Sequence, residues 1–309
     1  MKSRNILVMA LACAISIDSA FCQNKEGLPF VRIDRNPVSA GMGFTGAVSS
    51  EDVAYSSFRN SSVVPLSPER MSFGVSGQSW APDGVKSTNI NFGAAAKAGK
   101  RFGFSVGAAY QTGEEYALMT DTGVQKGTFK PNEMIISAGA GFLILKDLAA
   151  GANVRYASQK LSEDNSYSAV AADIFLTYRL SDLNITTGVS SFGSSVKSDS
   201  GASFSLPTSA TVGADWSKSL SEAHGIRLAA EADYFFSGNL TAAAGAQYSF
   251  KNMLFARAGY HFGTKDAVLP SFATVGLGVK LFGISLDFAY LTANDTIGNT
   301  LTFGLGYRF

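Results

Sequence analysis

The stretch Leu301-Thr302-Phe303-Gly304-Leu305-Gly306-Tyr307-Arg308-Phe309 alternates strictly between two kinds of side chain. Leu301, Phe303, Leu305, Tyr307 and Phe309 are large and apolar, whereas Thr302, Gly304, Gly306 and Arg308 are small or polar. Successive side chains of a strand point to opposite faces, so this is a strand with one apolar face and one different face. The same alternation sets Phe102, Phe104, Val106, Ala108 and Tyr110 against Gly103, Ser105, Gly107, Ala109 and Gln111. It also sets Ile284, Leu286, Phe288 and Tyr290 against Ser285, Asp287 and Ala289. A soluble β-sandwich alternates too, but its outward face is solvated and rich in Lys and Glu. Here the non-apolar face is mostly Gly, Ser, Thr and Ala with an occasional single charge, which suits a barrel wall that meets lipid outside and is crowded or polar inside.

Working outward from that strand, fourteen segments of strand length follow one another: 71–79, 87–98, 101–112, 132–145, 147–158, 167–180, 182–192, 206–217, 224–237, 238–250, 252–262, 271–281, 283–291 and 299–309. The expected fold is all-β, a transmembrane antiparallel barrel of about fourteen strands over residues 71–309. Membrane barrels alternate long outer loops with short inner turns. The odd connections are polar loops, such as Ala81 to Lys86, Gly113 to Pro131, Gln159 to Ser166 and Gly193 to Ser205. The even ones are mostly abrupt: Gly99-Lys100, Lys146, Ser181, Lys251 and Phe282. A longer inner connection around Ser217 to Ala223 and a tight outer one at Ser237-Gly238 break the alternation. Tyr110, Tyr156, Tyr178, Tyr234, Tyr248, Tyr260, Tyr290 and Tyr307 lie near strand ends, as the aromatic girdles of the two bilayer interfaces require. A terminal Phe309 on the apolar face resembles the C-terminal signature read by the outer-membrane barrel insertion machinery.

Composition removes other classes. No stretch beyond the N-terminus approaches the roughly 20 apolar residues of a spanning helix, so a helical transporter is excluded. Lys+Arg 25 against Asp+Glu 24 gives a net charge of +1 and no electrostatic footprint for nucleic acid. Met1 to Cys22 reads as a signal peptide, with Lys2 and Arg4 as its basic start, Ile6 to Ile17 as its apolar stretch and Ala20-Phe21-Cys22 as its cleavage site. Both cysteines, Cys13 and Cys22, fall inside it, so disulfides and thiol chemistry drop out of the mature chain. The expected location is the outer membrane of a Gram-negative bacterium, with outer-membrane lipid around the wall.

Residues 23–70 are rich in Gly, Ser, Asn and Pro and show little alternation, so they form a separate element. Gly41-Met42-Gly43-Phe44-Thr45-Gly46 matches GxGxxG, yet no buried strand precedes it and no amphipathic helix follows. Close backbone packing accounts for these glycines better than a dinucleotide does. Phe30-Val31-Arg32-Ile33, Val38 to Val48, Glu51-Asp52-Val53-Ala54 and Phe58-Arg59-Asn60 resemble the N-terminal stretch of the PorV/PorQ family of outer-membrane barrels, which are related to FadL-type transporters. The resemblance covers about 35 residues, and Asn60-Ser61-Ser62 departs from the family's N-P-A triplet. It implies an N-terminal segment folded inward as a hatch, with Gly41, Met42, Gly43, Gly46, Asp52 and Asn60 as its motif residues.

Strand register turns Lys97, Arg155, Arg179, Arg227, Arg257, Lys280 and Arg308 inward, together with Asp173, Asp215, Glu231, Asp233 and Asp287. These charges can line a selective pore, or they can form cross-strand ion pairs that hold the wall and anchor the hatch. Mixed signs favour the second reading. No catalytic constellation accompanies them. His224 sits at an inner turn and His261 at the outer end of a strand, where a rim residue is expected, and the two do not make a metal site or a triad. Glu114-Glu115 and Glu163-Asp164 read as solvated loop acids. No enzyme activity, cofactor or metal is expected. The PorV/PorQ resemblance implies an accessory role in type IX secretion or surface assembly, with a protein partner at the outer loops. The FadL relationship implies the alternative, a channel holding a small hydrophobic ligand in its lumen.

Overall fold

In a computed structural model the structure describes residues 26–49, 51–80, 86–120, 123–163, 165–198, 203–264, 267–292 and 299–309. The proposed signal peptide, Cys13 and Cys22, residues 81–85 of the first outer connection and Asp164 lie outside them.

Fourteen strands close into one antiparallel barrel. Its staves are β1 (Met71–Trp80), β2 (Ser87–Ala98), β3 (Phe102–Thr112), β6 (Asn132–Leu145), β7 (Leu148–Lys160), β8 (Ser166–Leu180) and β9 (Leu183–Gly193). They continue with β12 (Ser209–Ser219), β13 (His224–Phe235), β14 (Leu240–Phe250), β15 (Leu254–Gly263), β16 (Phe272–Leu281), β17 (Ile284–Leu291) and β18 (Thr300–Arg308). Closure is made between first and last, where Ser72 pairs with Arg308 and Ser79 with Leu301. A closed wall leaves no strand edge, so every backbone group at membrane depth has a partner within the wall.

The outer loops hold structure that their polarity did not announce. The loop after β3 folds as a hairpin of β4 (Tyr116–Met119) and β5 (Gln125–Phe129), and the loop after β9 carries β10 (Val196–Ser198), paired with β8, and β11 (Ser203–Phe204). β9 is also irregular: Ala172 pairs with Phe192 but Ile174 with Val189, so two residues of β9 oppose Asp173 alone, and Ser191 takes a φ of 56°.

Alternation along the staves divides outside from inside. Leu305, Leu286, Val75, Phe104 and Val106 face outward and are about half exposed, forming the apolar band that a bilayer covers. Tyr110, Tyr156, Tyr234 and Tyr260 face outward at the long-loop end, and Tyr248 and Tyr307 at the short-turn end. Inward positions are mostly small or polar, with large apolar exceptions such as Ile135, Phe175, Phe235, Phe272 and Leu291, and almost all are buried.

Candidate functional site

Residues 26–70 fill the lumen from one mouth to the other. At the outer mouth Ser237 donates to the Glu26 carboxylate and the Gly27 N–H bonds to the Ser205 carbonyl at 2.8 Å. At the inner mouth the Arg70 N–H reaches the Phe309 carbonyl at 2.8 Å. The segment runs through short 3-10 turns at Pro29–Arg32, Ser56–Phe58 and Ser61–Leu66 and one helical turn, α1 (Pro37–Ala40), rather than any long element. Side chains start two of these: Asn36 Oδ1 accepts from the Val38 N–H, and Asn60 Oδ1 from the Ser62 N–H. Pro37 at the first helical position has no N–H to lose there.

Glycines on the inward face of the wall let the plug approach. Gly41, Met42 and Gly43 lie directly over Gly245, Gly259 and Gly276 on β14, β15 and β16, where any Cβ would strike plug backbone. Gly43 holds a φ of 77°, and a Cβ on it would meet the Tyr260 carbonyl at 2.7 Å. Gly74 and Gly107 likewise make room for the rings of Tyr55 and Phe58. Gly46 sits against the Asp34 carboxylate, Met42 is fully buried, and Asn60 Nδ2 donates to the Ala47 carbonyl. Asp52 accepts weakly from the Ala54 N–H and the Ser72 hydroxyl.

All twelve inward charges read from the sequence reach the lumen, and most are bound to the plug or to each other. Arg155 pairs with Asp173 at 2.6 Å and also donates to Ser191 and to the Val31 carbonyl. Arg257 on β15 reaches across Gly278 of β16 to Asp287 on β17 at 2.7 Å. Arg227 grips Asp215 and the plug's Glu51, each at 2.8 Å, and Arg308 donates to the Glu51 carbonyl. Glu231 and Asp233 both hold the plug's Arg59, and Asp233 holds Arg32 at 2.7 Å. Near the inner mouth Lys97, Arg179 and Lys280 bind Ser67, Leu66 and Glu69, the last plug residues before β1.

The plug's own contributors, Arg32, Glu51 and Arg59, stand inside the quoted sequence motif, but nothing in an aperiodic segment says which charge faces the wall. Burial works against the Glu51 carboxylate, yet Arg227, Arg257 and Arg308 outweigh it and hold its pKa below the ordinary value. Burial and the neighbouring Arg59 cation hold Arg32 below the usual guanidinium range.

The outer half of the lumen is different in character. Leu28, Phe30 and Phe44 of the plug pack with Val196, Leu206, Leu269, Phe272 and Leu291 of the wall and its loops into the largest apolar cluster of the described residues. His261 belongs to it. The ring is buried, not at the rim, stacks on Phe272 with centroids 4.9 Å apart, and faces the Gly43 carbonyl. His224 is exposed at the inner turn, within hydrogen-bond reach of Tyr248. Among the described residues a cavity of about 40 Å³ lies between plug and wall, lined by Phe44, Arg59, Asp233, Phe235, His261 and Leu269 among others. A cavity that binds benzene measures roughly 150 Å³, so this one is too small for an aromatic ring.

On the facing side, β18, β1 and β2 turn Thr302, Gln78, Asn89 and Asn91 inward. All four are at most 2% exposed, and both side-chain polar atoms of Gln78 and of Asn89, with Asn91 Oδ1 and Thr302 Oγ1, have no hydrogen-bond partner. Buried orphans cost about 1–3 kcal/mol each.

No family model matches the chain, and no curated protein matches it by sequence. Solved structures do match in fold. The CymD monoaromatic hydrocarbon channel is 14% identical with a TM-score of 0.62, covering 90% of this chain and 97% of its own. The Pseudomonas putida toluene transporter TodX is 15% identical with a TM-score of 0.53, covering 92% and 97%. A Pseudomonas aeruginosa FadL homologue is 10% identical with a TM-score of 0.50, covering 88% and 96%. The fold is thus that of FadL-type barrels of Gram-negative outer membranes. These likenesses correct the expected accessory role in type IX secretion, since CymD and TodX are hydrocarbon channels and not secretion components. The physical reason lies in the motif that suggested it. Gly41, Met42 and Gly43 meet wall glycines, so a match there reports how a plug sits in a barrel and not what the barrel serves.

Proposed function

We propose that this chain is a gated, non-enzymatic channel that admits small hydrophobic molecules across the outer membrane. Residues 1–22 direct export and are removed, residues 23–70 act as the gate, and residues 71–309 form the barrel. The observation that carries the reading is the apolar cluster of Phe30, Phe44, Leu269, Phe272 and Leu291 in the outer half of the lumen. Apolar side chains there meet no lipid and give a hydrophobic molecule a place that water does not. The hydrocarbon channels of the same fold, CymD and TodX, support it. The likeness of residues 30–60 to PorV/PorQ barrels is taken as a likeness of the gate. Passage requires the gate to move, because about 40 Å³ admits no ring.

The test is uptake of labelled toluene by cells whose intact outer membrane resists it. Cells producing the protein are expected to take it up faster than cells without it, and equal rates refute the reading.

A further inference from the structure

On the inward face of β18, β1 and β2 the side chains of Thr302, Gln78 and Asn89 make no hydrogen bond to the plug. Gln78 stands in register with Thr302 on one side and Asn89 on the other, and Asn91 lies two residues along β2 opposite Ser76. Six of their side-chain atoms are orphaned together. The Asn91 Nδ2 donates to Ser76, and Ser76 donates to the Arg35 carbonyl, so plug residue Arg35 lies beside the cluster without satisfying it. Phe30 and Arg35 also line a narrow cleft with Asn89.

We infer that this cluster is the subsite that selects the polar end of the channel's cargo, and that the cargo is an aromatic molecule bearing an uncharged hydroxyl or amide group. The inference rests on the channel reading and deepens it. Carboxamides and a hydroxyl offer donors and acceptors together and carry no formal charge. A plain hydrocarbon leaves all six atoms unpaired. A carboxylate would meet the Glu133 carboxylate, which lines the same cleft as Asn89 and Arg35, and the Arg35 terminal nitrogens are already given to the Ile33 and Phe30 carbonyls, at 2.7 Å and 3.0 Å. The hydroxyl of a phenol or an aromatic alcohol pairs with such atoms, and its ring meets Phe30 and Ile135, which line the cleft with Asn89. Sites built to bond a hydroxyl reject analogues that lack it far more strongly than apolar pockets distinguish sizes. In the closed arrangement the segment Phe30 to Arg35 covers the cluster, so cargo reaches it when that segment shifts.

The test is equilibrium dialysis of labelled toluene, p-cresol and 4-methylbenzoate against the purified full-length protein, its folding checked by heat-modifiable gel migration. Wild type is expected to bind p-cresol at least tenfold more tightly than toluene. Gln78→Leu and Asn89→Leu are expected to bring that ratio near one while leaving toluene binding unchanged. Thr302→Val, a near-isosteric change, is expected to lower the ratio as well, and it carries the test if the leucine variants do not fold. A ratio near one in wild type, or one unchanged in the folded variants, overturns the inference and leaves the amides holding water. Tighter binding of 4-methylbenzoate than of p-cresol overturns the uncharged assignment. Toluene binding without any p-cresol preference leaves the channel standing and removes only this subsite, whereas no binding of any probe removes both.

Discussion

Asp233 is the residue on which the plug's hold on the wall depends most. The residue is 5% exposed; its carboxylate faces Arg32 at 2.7 Å and Arg59 at 3.0 Å, and it accepts from Ser209 and Thr211 on the neighbouring stave. Asp233→Asn keeps the shape but leaves two plug guanidiniums sharing Glu231. Breaking a buried pair from one side costs about 3–5 kcal/mol, because the partner's charge stays buried. The wall has its own continuous ladder on both sides of β13, so the loss falls on the closed position of the plug and not on the barrel. Each 1.36 kcal/mol is tenfold, which raises the open population by roughly two to four powers of ten.

The assay is labelling of a single reporter cysteine at Ser57, a fully buried plug residue, by a water-soluble maleimide. Asp233→Asn is expected to speed labelling at least a hundredfold while heat-modifiable migration stays that of a folded barrel. Joint replacement of the whole network, Asp233→Leu and Glu231→Gln with Arg59→Met and Arg32→Met, is expected to recover much of the protection, as apolar replacement of buried ion networks does. Labelling unchanged by Asp233→Asn refutes the latch.

Three further outcomes follow from the same geometry. Leu305→Arg puts a cation in the lipid band opposite Val75 and Leu286, is expected to cost about 2–4 kcal/mol, and is expected to lose the heat-modifiable band that Thr302→Ser retains. Gly259→Val drives a side chain into the backbone at Met42 and Gly43, so the plug is expected to label rapidly at Ser57 in a barrel that still migrates as folded. Glu51 has a pKa held below the ordinary value of 4.5, so the stability it gives the plug is present above that value and lost as pH falls through its own depressed pKa. Labelling of Ser57→Cys, divided at each pH by the rate for the denatured chain because the reactive thiolate itself falls with pH, is expected to accelerate on acidification through that window, and the Glu51→Gln background is expected to flatten the Glu51 share of that change.

The wall was readable because alternation is a local signal. Gly, Ser and Ala opposite Phe and Leu fixed each inward position, including Arg155, Asp173 and Arg257, without any knowledge of partners. Boundaries slipped where alternation paused: the eighth stave was expected from residue 206 but starts at Ser209, after Pro207, which has no N–H for a ladder. The β4–β5 hairpin was missed because four- and five-residue strands joined by polar residues carry too few repeats to show a period. Inside the plug the limit is different. Arg32 and Asp233, or Arg59 and Glu231, lie far apart in sequence, and no spacing rule joins a non-periodic segment to a stave. The orphaned Gln78 and Asn89 were legible as inward positions, but only the assembled lumen shows that nothing answers them.

The central claim is that hydrophobic cargo passes through this lumen when the plug moves. Ser57 of the plug and Ser137 of β6 bring their hydroxyls within 2.8 Å of each other, so Ser57→Cys with Ser137→Cys places two thiols where a disulfide ties plug to wall. The chain's two cysteines, Cys13 and Cys22, lie in the segment proposed to be removed, which leaves the engineered pair to react alone. The decisive measurement is uptake of labelled toluene by cells carrying this pair, compared before and after mild reduction. The account predicts that the oxidised form falls to the rate of cells without the protein and that reduction restores the unmodified rate. Uptake that is the same in the oxidised and the reduced states contradicts it.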